Sequence, residues 1–180
     1  MPRNVEVKIR LRDGGSLAAV RAAVAELTDD SPKRLHQRDT YFDVSSGRLK
    51  LREITEPDGR TSTELIAYHR SDGSPPRVST YHRLVPVADG DVARTLRAML
   101  DVRGVVTKRR EVYLSGQTRI HLDEVDGLGL FVEFEVVLRL DQSEEEGKRV
   151  AESLMKRLGI DGEHCEPQGY VDLLALARSR

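Results

Sequence analysis

The sequence predicts an α+β fold in which strands outnumber helices and mostly pair as antiparallel neighbours. Three observations carry this. "NVEVKIRLRD" alternates strictly, with Val5, Val7, Ile9 and Leu11 on one face and Glu6, Lys8 and Arg10 on the other; that is the period-2 pattern of a half-buried strand. "GVVTKRREVYL", "QTRIHLDEV" and "LFVEFEVVLRL" follow one another across short "SG" and "DGLG" turns, as in an antiparallel meander. "SEEEGKRVAESLMKRLGI" carries Val150, Leu154 and Leu158 at helical spacing, with Glu144–Glu146 in the first turn, where negative charge suits the helix dipole.

The remaining elements fill in between these. "SLAAVRAAVAEL" places Leu17, Val20, Val24 and Leu27 at helical spacing, with Ser16 as the expected N-cap. "LHQRDTYFDV" is strand-like, and "RLKLREI" alternates again, Leu49 and Leu51 against Lys50 and Arg52. "TSTELIAYHR" is a further strand. "SDGSPPRVS", with its glycine and two prolines, predicts a loop. "TYHRLVPV" predicts a short edge strand, because Pro86 cannot donate to a ladder. "DGDVARTLRAMLDV" predicts a helix with Val92, Leu96 and Met99 or Leu100 inward, and "QGYVDLLALARSR" a short final one. The sum is seven or eight strands with three or four helices. Antiparallel sets of about eight strands often close to remove their edges. With no repeat, low-complexity run or linker, residues 1–180 read as a single domain.

Composition narrows the function classes. Charged residues are 33% of the chain while the net charge is only −1. A nucleic-acid binder would carry a net excess of Lys and Arg, so no nucleic-acid partner is expected. The lone Cys165 allows neither an internal disulfide nor a cysteine-type zinc site. No stretch approaches the ~20 apolar residues of a membrane span, and "MPRNVEVKIR" holds no signal-peptide core. A soluble, cytoplasmic protein with no membrane partner is the expectation.

The charges themselves are the most informative feature. Glu133 and Glu135 share one face of a strand whose other face is Val132, Phe134, Val136 and Leu138. Like charges side by side repel unless water or cations compensate. Glu6, Lys8 and Arg10 share a face, as do Lys50 and Arg52, Lys108 and Arg110, and Arg119, His121 and Asp123. Two arrangements satisfy this pattern: charged faces open to solvent, or a barrel with apolar faces outward under helices and charges of both signs lining a wet interior. Arginines and lysines there would grip phosphate oxygens, and carboxylates would hold Mg²⁺ or Mn²⁺.

The stretches "VEVKIR", "GRLKLRE", "KRREVYL…TRIHLDEV", "LGLFVEFEVVL" and "GYVDLL" resemble, in order and over nearly the whole chain, the CYTH family of class IV adenylyl cyclases and thiamine triphosphatases, also called triphosphate tunnel metalloenzymes. "DTYFDVSSGRLKLRE" and "RIHLDEVDGLG" are most similar to the class IV cyclase-like branch. The resemblance implies a closed eight-stranded antiparallel barrel, the triphosphate tunnel, with helices packed outside. It implies Mg²⁺ or Mn²⁺ as cofactor, a triphosphate-bearing small molecule such as ATP or inorganic triphosphate as partner, and a monomer or homodimer. It implies metal binding at Glu6, Glu133 and Glu135, with Asp123 close by. Triphosphate binding falls to Lys8, Arg52, Lys108, Arg110 and Arg119, continued by Arg70 and Arg77, and catalysis to Lys8 and Arg52. His121 is expected as a tunnel-lining polar residue. Three activities follow: cyclisation of ATP to cyclic AMP and pyrophosphate, hydrolysis of inorganic, nucleoside or thiamine triphosphate, and binding without turnover. Two positions depart from the family pattern. Asn4 stands where the ExExK motif has its first glutamate, and His69 stands near a position where relatives often carry lysine.

Overall fold

Strand alternation sorts the side chains into two sets, and the fold turns the charged set inward. The computed structural model describes residues 2–11, 14–28, 30–70, 75–85, 89–160 and 165–179, with 14, 15, 89 and 90 in backbone only. The elements run β1 (Arg3–Arg10), α1 (Gly14–Ala25), β2 (Lys33–Phe42), β3 (Arg48–Thr55), β4 (Thr61–Arg70), β5 (Arg77–Leu84), α2 (Asp89–Met99), β6 (Val102–Ser115), β7 (Thr118–Val125), β8 (Gly129–Val137), α3 (Glu144–Arg157) and α4 (Tyr170–Arg178). The strands form a closed barrel in the order β1-β5-β4-β3-β2-β6-β7-β8. Every pairing is antiparallel, and β1 closes the ring on β8 from Asn4↔Val137 to Arg10↔Phe131. This is the α+β, eight-stranded barrel with external helices that the sequence predicts.

The main hydrophobic core lies outside the barrel. Val5, Val7 and Ile9 of β1, Ile120 and Leu122 of β7, and Val132, Phe134 and Val136 of β8 pack with Val20 and Val24 of α1 and with Ala151, Leu154 and Met155 of α3. Six consecutive residues of β1 are buried because helices cover one face and the tunnel encloses the other. A smaller cluster of Tyr41, Val106, Val125, Leu128 and Phe131 receives Tyr170, Val171 and Leu173 from α4. The outer faces of β2, β3, β6 and β7 also carry exposed ion pairs such as Arg38–Glu53 and Arg109–Glu124. No helix among the described residues is long and apolar enough to cross a membrane.

Closure changes several local expectations. β5 is no edge strand: it pairs with β1 through Arg3↔Thr80 to Glu6↔Arg77 and with β4 through Leu65↔Leu84 to Arg70↔Ser79. It ends at Leu84, and Pro86 lies outside the described residues. The predicted loop is shorter, because Arg77, Val78 and Ser79 already belong to β5, and residues 71–74 lie outside the described set. α1 begins at Gly14, so Ser16 is inside the helix and not its cap. Met99 is 77% exposed, and Leu100 takes the inward position.

α3 starts with a capping box: the Ser143 hydroxyl accepts from the Glu146 N–H, and the Glu146 carboxylate accepts from the Ser143 N–H at 2.8 Å. Its buried stripe is Gly147, Ala151, Leu154 and Met155. Gly147 sits where a Cβ would come within 2.5 Å of Leu138 Cδ2 and 2.8 Å of Val5 Cγ2. Alanine favours a helix over glycine by about 1 kcal/mol, while overpacking a core costs about 1–3 kcal/mol. Val5 is stiff and fully buried, so the clash outweighs the propensity. G147A should lower the unfolding free energy by about 1–2 kcal/mol in urea titrations, where propensity alone would raise it.

Candidate functional site

The barrel encloses a cavity of about 630 Å³. It is lined by the inward residues of all eight strands, with Gly169 and Tyr170 at the start of α4 closing on one end. Exposed Pro2, Lys33 and Arg83 stand at the opposite mouth. Period-2 alternation aims every second side chain here: Asn4, Glu6 and Lys8 from β1, Lys50 and Arg52 from β3, Lys108 and Arg110 from β6, and Glu133 and Glu135 from β8.

Strand register then sets the ion pairs. Glu6 stands opposite Glu135 and Lys8 opposite Glu133 across β1–β8. Arg70 donates to Glu6 at 2.7 Å. Arg119 donates to Glu135 at 2.9 Å, directly across β7–β8. Arg110 donates to Asp123 through Nε at 2.6 Å and through Nη2 at 2.5 Å, and Nη2 also reaches Glu133 at 2.8 Å. Asp39 accepts both arms of Arg52, at 2.7 and 2.8 Å, and the ammonium of Lys50 at 3.0 Å, with Lys108 at 3.7 Å. The Lys8 ammonium donates to the Gln168 carbonyl at 3.0 Å and lies 4.3 Å from the Tyr170 ring centre; Lys108 lies 5.1 Å from the same ring. Tyr170 in turn donates its hydroxyl to Asp123 at 2.9 Å. Arg77 is half-buried opposite Glu6 across β1–β5.

Burial and charge pull these groups in opposite directions. Burial alone would raise Glu133, but the hydrogen bond from His121 and the charges of Arg110 and Lys8 hold it well below the ordinary carboxylate range. Burial opposes Asp39 too, and Arg52, Lys50 and Lys108 together keep it ionised. Glu6 goes the other way: burial and Glu133 outweigh Arg70 and push it up to about 7. Burial, with Arg110 alongside, lowers Lys108 to about 7. Burial and Arg110 also lower His121, which keeps its imidazole neutral.

His121, Glu133 and Glu135 offer ligand atoms that all lie within 4.8 Å of one another. The two carboxylates suit a hard divalent cation such as Mg²⁺ or Mn²⁺, and a neutral imidazole ligand beside them is disfavoured by Mg²⁺ and better suited to a transition-metal ion such as Mn²⁺. On the adjoining wall, Asn4 is 4% exposed and its Oδ1 has no hydrogen-bond partner among the described residues. A buried acceptor oxygen without a donor is an expensive state that a nearby cation relieves. The residues present fit such an ion.

Of the sequence candidates, Glu6, Lys8, Arg52, Arg70, Lys108, Arg110, Arg119, Glu133 and Glu135 line the cavity; Asp123 stands behind Arg110, and Arg77 stands across from Glu6 without lining the cavity. Glu133 and Glu135 come together with His121, whereas Glu6 is tied to Arg70, and Asp123 to Arg110 and Tyr170. His69 is exposed, and Arg70 beside it reaches inward. Sequence reasoning missed Asp39 and Tyr170, and placed Lys50 on the charged face with Arg52 without counting it among the site residues. Asp39 follows Leu35 and Gln37 on the inner face of β2, but Arg34, His36 and Arg38 make the outer face equally polar. The "GYVDLL" stretch was visible, yet nothing local in it aims Tyr170 at Asp123.

The chain matches the CYTH domain model over residues 2–170. It is 23% identical over 176 residues to adenylate cyclase CyaB from Aeromonas hydrophila, covering 92% of this chain and 85% of that protein. PH1012 from Pyrococcus horikoshii OT3 has the same fold, with a TM-score of 0.80 and 23% identity over 94% of this chain and 98% of that one. HpAC1 from Hippeastrum, a proposed adenylyl cyclase described as having a dominant triphosphatase activity, aligns with a TM-score of 0.63 and 17% identity, covering 99% and 96%.

The lowered Lys108 makes stability depend on pH. Between about 7 and the ordinary lysine value of 10.5, the unfolded chain binds a proton that folded Lys108 has released. Stability therefore rises with pH across this window, by up to about 1.4 kcal/mol per pH unit from this group. Denaturant titrations from pH 7.5 to 9.5 should record that rise in the wild-type protein, and K108M should make it shallower, leaving the part that buried Lys8, lowered in the same direction, contributes.

Proposed function

The chain belongs to the CYTH family, and from that premise we propose that it carries out metal-dependent phosphoryl chemistry on a triphosphate inside the barrel, in the first instance cyclisation of ATP to cyclic AMP and pyrophosphate. The observation that carries this reading is a cavity within the closed barrel in which His121, Glu133 and Glu135 converge beside buried arginines and lysines. A polyanion entering it would exchange protein carboxylates for its own oxygens around Arg52, Arg70, Lys108, Arg110 and Arg119, with Arg77 near the Glu6 side. Bidentate guanidinium contacts fix phosphate orientation, which is most of what phosphoryl transfer asks of a protein.

Glu133, Glu135 and His121 would hold Mg²⁺ or Mn²⁺, with Asn4 Oδ1 and Glu6 on the adjoining strand. When bound, the ion compensates and spreads charge on the phosphoryl oxygens. Asp123, held between Arg110 and the Tyr170 hydroxyl, positions Arg110. Lys8 and Arg52 are the residues we assign to the reacting phosphoryl group, Lys8 from the Glu133 side and Arg52 from the Asp39 side. In cyclisation, the ribose 3′-oxygen bonds to the α-phosphorus and loses its proton, while the bond to the bridging oxygen breaks and pyrophosphate leaves.

The kinship with CyaB, a cyclase by name, favours this reaction. Hydrolysis is the second reading, favoured by the activity described for HpAC1: the oxygen of water bonds to the terminal phosphorus, the bond from that phosphorus to the bridging oxygen breaks, and orthophosphate separates from the diphosphate that takes up the bridging oxygen, with water's proton released. The same side chains serve both. We take the whole chain, 1–180, as one domain acting in the cytoplasm as a monomer or homodimer.

Phosphorus NMR of products from ATP and from inorganic triphosphate, each with Mg²⁺ or Mn²⁺, tests the proposal. Cyclic AMP with pyrophosphate is the expected result, and orthophosphate would move the assignment to the second reading. Absence of product from both substrates, with metal-dependent binding intact, would overturn cyclisation of ATP and favour binding without turnover or another triphosphate as substrate. The double variant E133Q/E135Q should stay folded and lose about 100-fold or more of the metal-dependent rate; normal turnover by it would contradict the metal assignment. N4E adds a carboxylate at the unpartnered oxygen, and should lower the metal concentration giving half-maximal activity.

A further inference from the structure

The outer wall of the barrel carries a groove of about 360 Å³, apart from the tunnel. Alternation along β2, β6 and β7 turns Arg34 and His36, Arg109 and Glu111, and Leu122 and Glu124 outward, opposite to the residues that line the tunnel. Register sets them in two rows, Arg34–Glu111–Leu122 and His36–Arg109–Glu124. α1 bounds one side with Leu17 and Arg21, and Pro57, just after β3, bounds the other. Leu17 and Leu122 make an apolar floor continuous with the main core.

The charges around this floor do not balance. Glu124 accepts both arms of Arg109, at 3.1 and 3.0 Å. Glu56 and Asp58 are matched by Lys33 and Arg60. Glu111, however, is shared. It accepts from Arg21 at 2.9 Å and from the Tyr113 hydroxyl at 3.0 Å, while exposed Arg34 stands at 3.6 Å, outside hydrogen-bond range. Two arginines lean on one carboxylate, so among the described residues one positive charge is left over at the Arg34 end of the groove.

We infer that this groove is a second binding site, which takes a small monocarboxylate with an apolar, ring-sized body. A cavity of this size, largely apolar with a few placed polar groups, is of the kind that holds small organic ligands. Arg34 can meet the carboxylate in a bidentate fork while the ligand's body covers Leu17 and Leu122. A dianion would bring a second negative charge near Glu111 and Glu124 with no cation to meet it, and an uncharged ring would leave Arg34 as it is. The single leftover charge therefore selects the class. The inference does not depend on the tunnel being the triphosphate site.

Titration of ¹⁵N-labelled protein with 1-naphthoate and with its neutral counterpart 1-naphthamide, followed by amide chemical shifts, tests this. Naphthoate should give saturable shifts centred on residues 17–21, 34–36, 55–57 and 122–124. It should bind at least about threefold more tightly than the amide, the worth of one exposed ion pair. The exposed substitution R34Q should remove that difference by weakening naphthoate alone. Shifts confined to tunnel residues, equal affinity for acid and amide, or a preference that R34Q leaves intact would each overturn the inference. So would the absence of saturable shifts.

Discussion

The pairing of β1 with β8 is the constraint on which the rest depends. It closes the barrel, and in the same register it sets Glu6 against Glu135 and Lys8 against Glu133. Slipping either strand by one residue would send its valines inward and its charges into the helix-packed core. The apolar face of these strands, from Val5 to Val136 beneath α1 and α3, therefore enforces the placement of the charges. Fold and site are two faces of one alternating pattern.

Placing so many charges inside a barrel is tolerable because each finds an opposite. Asp39 serves Lys50, Arg52 and Lys108; Asp123 serves Arg110; Glu6 serves Arg70; Glu135 serves Arg119. Buried pairs of this kind contribute little net stability, because desolvation offsets their attraction, but removing one partner alone is costly. Such a network is suited to exchange. A polyanion arriving with a divalent cation offers each side chain a replacement partner, so the resting pairs hold the binding groups in position without wasting them. The shifts of Glu6 and Lys108 toward neutrality mark places where burial outweighs this internal compensation.

The sequence made one half of this plain and hid the other. Glu133 and Glu135 stand out because their strand alternates with an unbroken apolar face, and Glu6 and Lys8 share that contrast. On β2 both faces are polar, so alternation cannot tell Asp39 and Gln37 from the solvated Arg38 and His36; only the pairings Asp39↔Arg52 and Gln37↔Lys108 do so. β5 read as an edge strand because of Pro86, but the strand ends at Leu84, and closure, a property of the whole sheet, leaves no local trace in "TYHRLVPV". The contact of Lys8 with the Gln168 carbonyl joins residues 160 positions apart, beyond any pattern in the chain. The motifs that resemble the CYTH family carried the long-range information that local periodicity lacks.

The most direct test of the account is the position of Mn²⁺ in crystals grown with inorganic triphosphate or ATP, located by its anomalous scattering. The account predicts one strong peak inside the barrel, within bonding distance of Glu133 and Glu135 and of a phosphate oxygen, with Arg110 turned to the triphosphate. A peak confined to surface carboxylates, or a triphosphate bound outside the barrel, would contradict it.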